Sequence, residues 1–288
     1  MDNLKHCFFV SDIHGDKSRY QLLFKEIEKK VPDCVLIGGD IFPHGHDLKG
    51  SVKKDFLSEF LVPGITKLKE KLQNRFPRIL MILGNDDARL NEKRIIEIEK
   101  NSNLWDYIHN KKVEIGRFNI YGYSFIPPTP FALKDWEKYD VSRFADPGCM
   151  HPMEGFRTVE PDYDLEYSNI KTDLEKLTKN ENLSRSIFLF HSPPYNTPLD
   201  RAALDGKMID YVPLDVHVGS IAIQRFIEDR QPLLTLHGHV HEASQLTGKW
   251  QTVIGKTYAY TAAYEQNVLS IIEFDPNNPE SAERNLIS

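Results

Sequence analysis

The chain has 288 residues, with 36 Lys and Arg against 42 Asp and Glu, a formal net charge of -6, 40% hydrophobic and 27% charged residues. That balance belongs to a folded globular protein and excludes a disordered polyelectrolyte; the acidic excess gives no overall field for nucleic acid or anionic lipid. The longest apolar runs, ILMIL and IFLF, are far shorter than the ~18 residues a membrane span requires.

The N-terminal MDNLKHCFFV has no small-residue cleavage site, so no secretory leader is expected and the expected location is the cytoplasm. Cys7, Cys34 and Cys149 are too few for a disulfide framework, and Cys7 and Cys34 lie in apolar runs that suit reduced, buried thiols. HCFFVS (6–11) reads as a buried strand and KSRYQLLFKEIEKK (17–30) as a helix stopped by Pro32. CVLIGG (34–39) is a second strand, 53–74 a charged amphipathic helix interrupted near Pro63, and RILMILG (78–84) a third strand before a helix over 88–100. This β-α-β-α-β order predicts a parallel sheet.

Residues 112–125 alternate like a hairpin. The stretch 126–165 then collects six prolines and the aromatics Trp136, Tyr139, Phe144 and Phe156, which exclude a long helix or central strand. A cap over a site is the expected role, with a homodimer contact as the alternative, and cutting the loop back is expected to spare metal binding. The pattern resumes with a helix at 168–180, strand IFLF (187–190), a helix at 219–230 and strand LLTL (233–236). Residues 242–274 alternate as antiparallel strands.

His, Asp or Asn residues fall at the carboxyl ends of the expected strands: Asp12 and His14, Asp40, Asn85, His191, and His239 with His241. In open α/β sheets these ends form the ligand crevice. Imidazoles with hard oxygen ligands and no thiolate suit Mn, Fe, Co or Zn. A dinuclear site needs a bridging carboxylate, for which Asp40 is placed centrally, and two divalent ions can clamp an in-line phosphoryl displacement.

The series SDIHGD, GGD, LGND, HSPP and GHVH resembles the calcineurin-like metallophosphoesterase superfamily, and HVGS followed by GHVHE is similar to its small, mostly prokaryotic branch. The resemblance implies an α/β fold, a four-layer α/β/β/α sandwich of two mixed sheets, in a single domain over 1–288 with a cap or specificity insertion at 126–165. It implies one metal held by Asp12, His14 and His241, a second by Asn85, His191 and His239, and Asp40 bridging them. A bridging hydroxide would attack phosphorus. Mn2+ is the expected metal, with Fe, Zn, Co or Ni as alternatives.

Two departures stand out. The usual G-N-H-[DE] reads Gly84-Asn85-Asp86-Asp87, so Asp86 replaces the histidine that helps the leaving group; it either acts as a protonated acid or caps the following helix. The tyrosine of purple acid phosphatases falls at Pro43. His44 and His46 are further candidates for the leaving-group side, and His217 for phosphate contact beside free backbone N–H groups at the Gly219–Ser220 helix start. His237 is expected to hydrogen-bond behind the ligands. The expected function is hydrolysis of a small, nucleotide-like phosphomonoester or phosphodiester by Asp40, Asn85, Asp86 and His191. The alternatives are a protein phosphatase, a nuclease, which would want a basic groove with aromatics, or a non-catalytic interaction module. Neither nucleic acid nor membrane is an expected partner.

Overall fold

The computed structural model describes residues 4–45 and 55–288. The strands are β1 (Cys7–Val10), β2 (Cys34–Gly38), β3 (Arg78–Ile82), β4 (Asp106–Tyr107), β5 (Lys111–Ile115), β6 (Phe118–Tyr123), β7 (Ser186–Phe190), β8 (Met208–Ile209), β9 (Val212–Pro213), β10 (Leu234–His237), β11 (Gln251–Ile254), β12 (Thr257–Thr261), β13 (Leu269–Asp275) and β14 (Asn278–Ile287). The α-helices are α1 (Lys17–Lys30), α2 (Val62–Leu72), α3 (Glu92–Ser102), α4 (Ile170–Thr178), α5 (Ile221–Arg230) and α6 (Ala243–Thr247).

Two six-stranded mixed sheets form, one in the order β14-β13-β1-β2-β3-β4 and the other β11-β12-β10-β7-β6-β5. Strands β1 to β4 run parallel, with β13 antiparallel to β1. In the second sheet β12, β10, β7 and β6 run parallel, with β11 and β5 antiparallel at its edges.

Strand alternation explains the layering. Phe9, Leu36, Leu80 and Ile82 meet Ile187, Leu189, Leu234 and Leu236 in one buried cluster between the sheets. Their neighbours Phe8, Val35, Ile79 and Met81, and on the other sheet Phe188 and Phe190, face outward into a second cluster containing Leu23 and Ile27 of α1, Ile65 and Leu68 of α2, and Ile223 and Ile227 of α5. Side chains of period two must bury on both faces when helices cover both sheets. The expected four-layer α/β/β/α sandwich is what forms.

Pro63 falls at the start of α2, directly after a π-helical turn at Leu57–Leu61. The wider turn takes up the carbonyl clash and missing donor of proline without ending the helix; residues 53 and 54 lie outside the described residues. The C-terminal third departs more from expectation. Residues 243–247 are helical, β12 pairs parallel to β10, and β14 extends the first sheet beyond residue 274. The short β4 and the β8–β9 hairpin were also unmarked by sequence pattern.

The proline-rich stretch has neither helix nor long strand, yet it is tightly held. Fully buried Trp136 donates from Nε1 to the Asp87 carbonyl at 2.8 Å, and Lys134 and Glu137 form a fully buried ion pair at 2.6 Å. Asp140 accepts from Ser220 Oγ and from the backbone N–H groups of Ile221 and Ala222, capping α5 from outside it. Trimming 126–165 would therefore strip a helix cap and a core indole. Among the described residues no helix is long and apolar enough to cross a membrane.

Candidate metal centre

The registers Val10↔Ile37 and Gly38↔Ile82 align the carboxyl ends of β1, β2 and β3, placing Asp12, Asp40 and Asn85 on one rim. Leu189↔Leu236 does the same for β7 and β10, which carry His191 and the His239/His241 pair. The rims lock together. The His239 N–H donates to Asp12 Oδ1 at 2.9 Å, and His191 Nδ1 lies 2.8 Å from the Gly38 carbonyl.

The turns are strained in a way few sequences tolerate. Asp12 (φ 56°), His14 (50°), Asp40 (51°) and His239 (73°) all adopt left-handed backbone conformations. Such residues cost on the order of 1–3 kcal/mol each and persist where the surroundings impose them, commonly at functional sites. The glycines of G-N-D and G-H-V-H serve close approach: a Cβ on Gly84 would sit 2.3 Å from Asp40 Oδ1, and one on Gly238 2.1 Å from Ser11 Oγ.

Ligand atoms of Asp12, His14, Asp40 and His241 all lie within 4.8 Å of one another. His14 Nε2 and His241 Nε2 face each other at 3.2 Å, and His241 Nε2 is also 3.2 Å from Asp12 Oδ1. Asp40 joins this group to the next: its Oδ2 is 3.7 Å from His14 Nε2 and 3.4 Å from His191 Nε2. Asn85 Oδ1 lies 2.9 Å from the same His191 nitrogen. The His239 ring stands 5.4 Å from that of His191.

These contacts fit cations. With Nδ1–H of His191 donating to the Gly38 carbonyl, Nε2 aims a lone pair at two oxygens that are themselves acceptors. Buried Asp12 Oδ2 has no hydrogen-bond partner among the described residues. A proton or a metal must sit among these atoms, and an imidazole whose far N–H is held by a carbonyl is the usual form of a metal-binding histidine.

The titration behaviour follows. Burial would lower His191, but the Asp40 carboxylate outweighs it and raises the imidazole to about 10. Burial likewise opposes Asp12 at His241, where the carboxylate prevails and raises it to about 8. His239 is pushed down to about 3 by burial and by the neighbouring His191. Asp12 and Asp40 are held below the usual carboxylate range because the histidines overcome the cost of burial.

Asp86 does not cap a helix. Its Oδ2 is 2.8 Å from His44 Nδ1 and 3.7 Å from His14 Nδ1, and the His44 ring stacks on His14 with centroids 4.1 Å apart. His44 is thus beside the centre, whereas His46 lies outside the described residues. The next residue, Asp87, is fully buried and accepts from the N–H groups of Ile41, Phe42 and Gly84. It ties the turn after β2 to the turn after β3, a task that sequence reading missed although the acidic pair after Gly84-Asn85 marked the place.

The phosphate cradle expected near His217 is not free. Asp140 occupies the N–H groups of Ile221 and Ala222, Asp200 takes that of Gly219, and the Pro193 carbonyl takes that of Ser220. His217 itself bonds Asp200 through Nδ1 at 2.8 Å. His237 hydrogen-bonds the Ser192 carbonyl and Thr235 Oγ1, and neither of these partners is a candidate ligand.

The family described as calcineurin-like phosphoesterase matches residues 6–243. The chain belongs to the calcineurin-like phosphoesterase family. No curated protein sequence matches it. Among solved structures, TT1561 of Thermus thermophilus is 15% identical with a TM-score of 0.57, covering 99% of this chain and 100% of that one. A dimetal phosphatase from Danio rerio is 11% identical with a TM-score of 0.46 over 100% of this chain and 99% of that one. An archaeal phosphodiesterase is 9% identical with a TM-score of 0.44 over 98% and 99%. At such identities the likeness to TT1561 is one of fold, and the fold agrees with the family assignment.

Proposed function

We propose that the chain is a dinuclear metal-dependent hydrolase of small phosphate esters. The observation that carries this reading is Asp40, whose carboxylate lies between His14 and His191 at 3.7 and 3.4 Å. Asp12, His14 and His241 would hold one ion and Asn85, His191 and His239 the other, with Asp40 shared. Two divalent ions, when bound, supply a nucleophile at neutral pH and neutralise charge on the phosphoryl group.

The chain's own residues do the rest. Gly38 fixes the His191 tautomer through its carbonyl. The Asp86 N–H donates to Asp40 Oδ1 at 2.9 Å and orients the shared carboxylate. Asp86 and His44 form a hydrogen-bonded pair on the open side of the centre, where a proton is needed by a leaving alkoxide. Mn2+ is the favoured metal and the cytoplasm the favoured location. A protein phosphatase or nuclease is less favoured because of the acidic balance of the chain. A purely binding role is less favoured because none of the expected ligands has been lost.

The test is elemental analysis combined with turnover of aryl phosphate mono- and diesters. Two metal equivalents with chelator-sensitive hydrolysis support the reading; two metals with no turnover of any ester would point to the binding module instead.

A further inference from the structure

A cavity of about 280 Å³ opens between the 127–149 part of the proline-rich stretch and the segment from Tyr195 to Ile221. None of the candidate metal ligands lines it, yet it is close to them in the chain. Tyr195 is four residues beyond His191, a span of at most about 14 Å. Its floor is tethered closer still: the Ser220 N–H, between Gly219 and Ile221 of the wall, donates to the carbonyl of Pro193, two residues after His191.

The wall is apolar, built from Pro128, Val141, Phe144, Leu214 and Val218 among others. Its polar groups include Ser142, Cys149, Tyr195 and His217 as well as carboxylates. Asp146 and Asp215 both line it, and no lysine or arginine does among the described residues. Asp215 is already engaged, accepting from the Tyr195 hydroxyl at 2.7 Å and from the His217 N–H at 2.8 Å. Asp140 is spent on capping α5. Asp146 stands on the exposed rim of the cavity; its carboxylate has no hydrogen bond or ion pair among the described residues, and partial desolvation and the nearby Asp215 raise it above the ordinary carboxyl range. An apolar hollow rimmed by carboxylates, with no lysine or arginine among its lining residues, repels a phosphate tail or a second acid and favours a group that brings its own positive charge.

We infer that this cavity receives the organic part of the phosphate ester, and that this part is an apolar group carrying an ammonium, whose charge Asp146 meets. The inference rests on the hydrolase reading above and narrows it from small esters in general to esters of amino alcohols. The centre would hold the phosphate and the cavity the amine-bearing body.

Calorimetric titration of the 288-residue chain, metal-free and loaded with Mn2+, tests it with three probes of one shape: 2-phenylethylammonium, 2-phenylethanol and 3-phenylpropanoate. The ammonium should bind in both forms, about tenfold or more tighter than the alcohol, the scale of a hydrogen bond to a charged group; the carboxylate should not bind. Asp146→Asn should remove the preference for the ammonium over the alcohol while its melting temperature stays near that of the parent. The ammonium should also inhibit hydrolysis of an aryl phosphate competitively. Equal binding of ammonium and alcohol, tighter binding of adenosine, or ammonium binding without competition each overturns the inference while the hydrolase reading stands. Absence of metal-dependent turnover on any ester overturns the hydrolase reading, and the substrate role of the cavity with it.

Discussion

His44 Nδ1 lies 2.8 Å from Asp86 Oδ2, so an imidazole stands beside the centre even though the residue after Asn85 is an aspartate. Burial and the neighbouring Asp40 raise the Asp86 carboxyl above its ordinary range, so the pair can hold a proton. Nitrophenolate leaves without a proton and an alkoxide does not, and general acid help is typically worth about 10²–10⁴-fold. His44→Ala and Asp86→Asn are each expected to lower alkyl ester turnover by about 10²-fold and to change nitrophenyl ester turnover far less. Asp86→His removes one partner but supplies an imidazole at the same place, and should retain more alkyl ester turnover than Asp86→Asn. Kinetics on matched alkyl and aryl phosphates decide this: equal losses on both substrates would show that the pair serves structure rather than the leaving group.

Asp40 touches both halves of the centre, so its loss should be felt by both. Asp40→Asn is expected to lower bound metal at both sites and turnover by at least ~100-fold, whereas His239→Ala should lower the metal content by one equivalent. Elemental analysis after gel filtration gives the readout. Two tightly held equivalents in Asp40→Asn protein would remove Asp40 from the bridging position.

Metal binding should release protons. In the metal-free protein His191, raised to about 10, and His241, raised to about 8, are both protonated at pH 7. Each must lose its proton to offer a lone pair. The metal-free state therefore binds more protons than the loaded one, and affinity should rise as pH climbs through about 8 and again toward 10. Calorimetry in buffers of different ionisation enthalpy at pH 7 should report at least about two protons released on full loading, one from each imidazole. Binding that is independent of buffer and pH between 6 and 9 would contradict the protonation pattern.

How much of this was legible without coordinates depends on the kind of signal. Buried parallel strands announce themselves as apolar runs, so β1, β2, β3, β7 and β10 and the polar residues at their ends could be placed from sequence. Strand β14, NPESAERNLI, has few apolar residues and buries only Pro279 and Ala282, and its pairing with β13 is decided by the turn at Asp275–Asn278 rather than by hydrophobic pattern. The parallel pairing of β12 with β10 depends on where the intervening α6 turns the chain, which no local periodicity encodes. At the site, residue identities pointed to the candidate ligands. The His44–Asp86 pair and the occupied start of α5 did not show, because both join segments 42 and 81 positions apart.

Iron-loaded protein should lack the strong visible band of a purple enzyme. Pro43 packs against Gly15, with ring atoms only 2.3 Å from where a Cβ on that glycine would lie. No tyrosine hydroxyl hydrogen-bonds any of the candidate ligands among the described residues. An absorption spectrum of oxidised, iron-loaded protein is the check, and a phenolate-to-iron band would mean that a tyrosine reaches the metal.

The buried pair Lys134–Glu137 governs the stability of the proline-rich stretch. Lys134 Nζ donates to Glu137 Oε2 at 2.6 Å and to the Thr129 carbonyl at 2.8 Å, while the Thr129 N–H and hydroxyl donate to Glu137. Burial raises Glu137 to about 7 even though Lys134 and Thr129 pull it down. Removing the lysine leaves the carboxylate without its cation, and breaking a buried pair from one side typically costs about 3–5 kcal/mol. The sign of the pH dependence follows from the raised value. The unfolded chain ionises near the ordinary glutamate range and the folded one only at higher pH, so the protonated form favours the fold and this contribution is lost as pH rises toward and through the folded value. In Lys134→Met protein that value climbs further, so the loss of stability relative to the parent should be larger at pH 8 than at pH 5. Adding Glu137→Gln to Lys134→Met should flatten that difference, because nothing is then left to ionise. Thermal or denaturant unfolding of the three proteins at both pH values measures it; a Lys134→Met penalty that is the same at pH 5 and pH 8 would mean that Glu137 finds another cation or water when the lysine is gone.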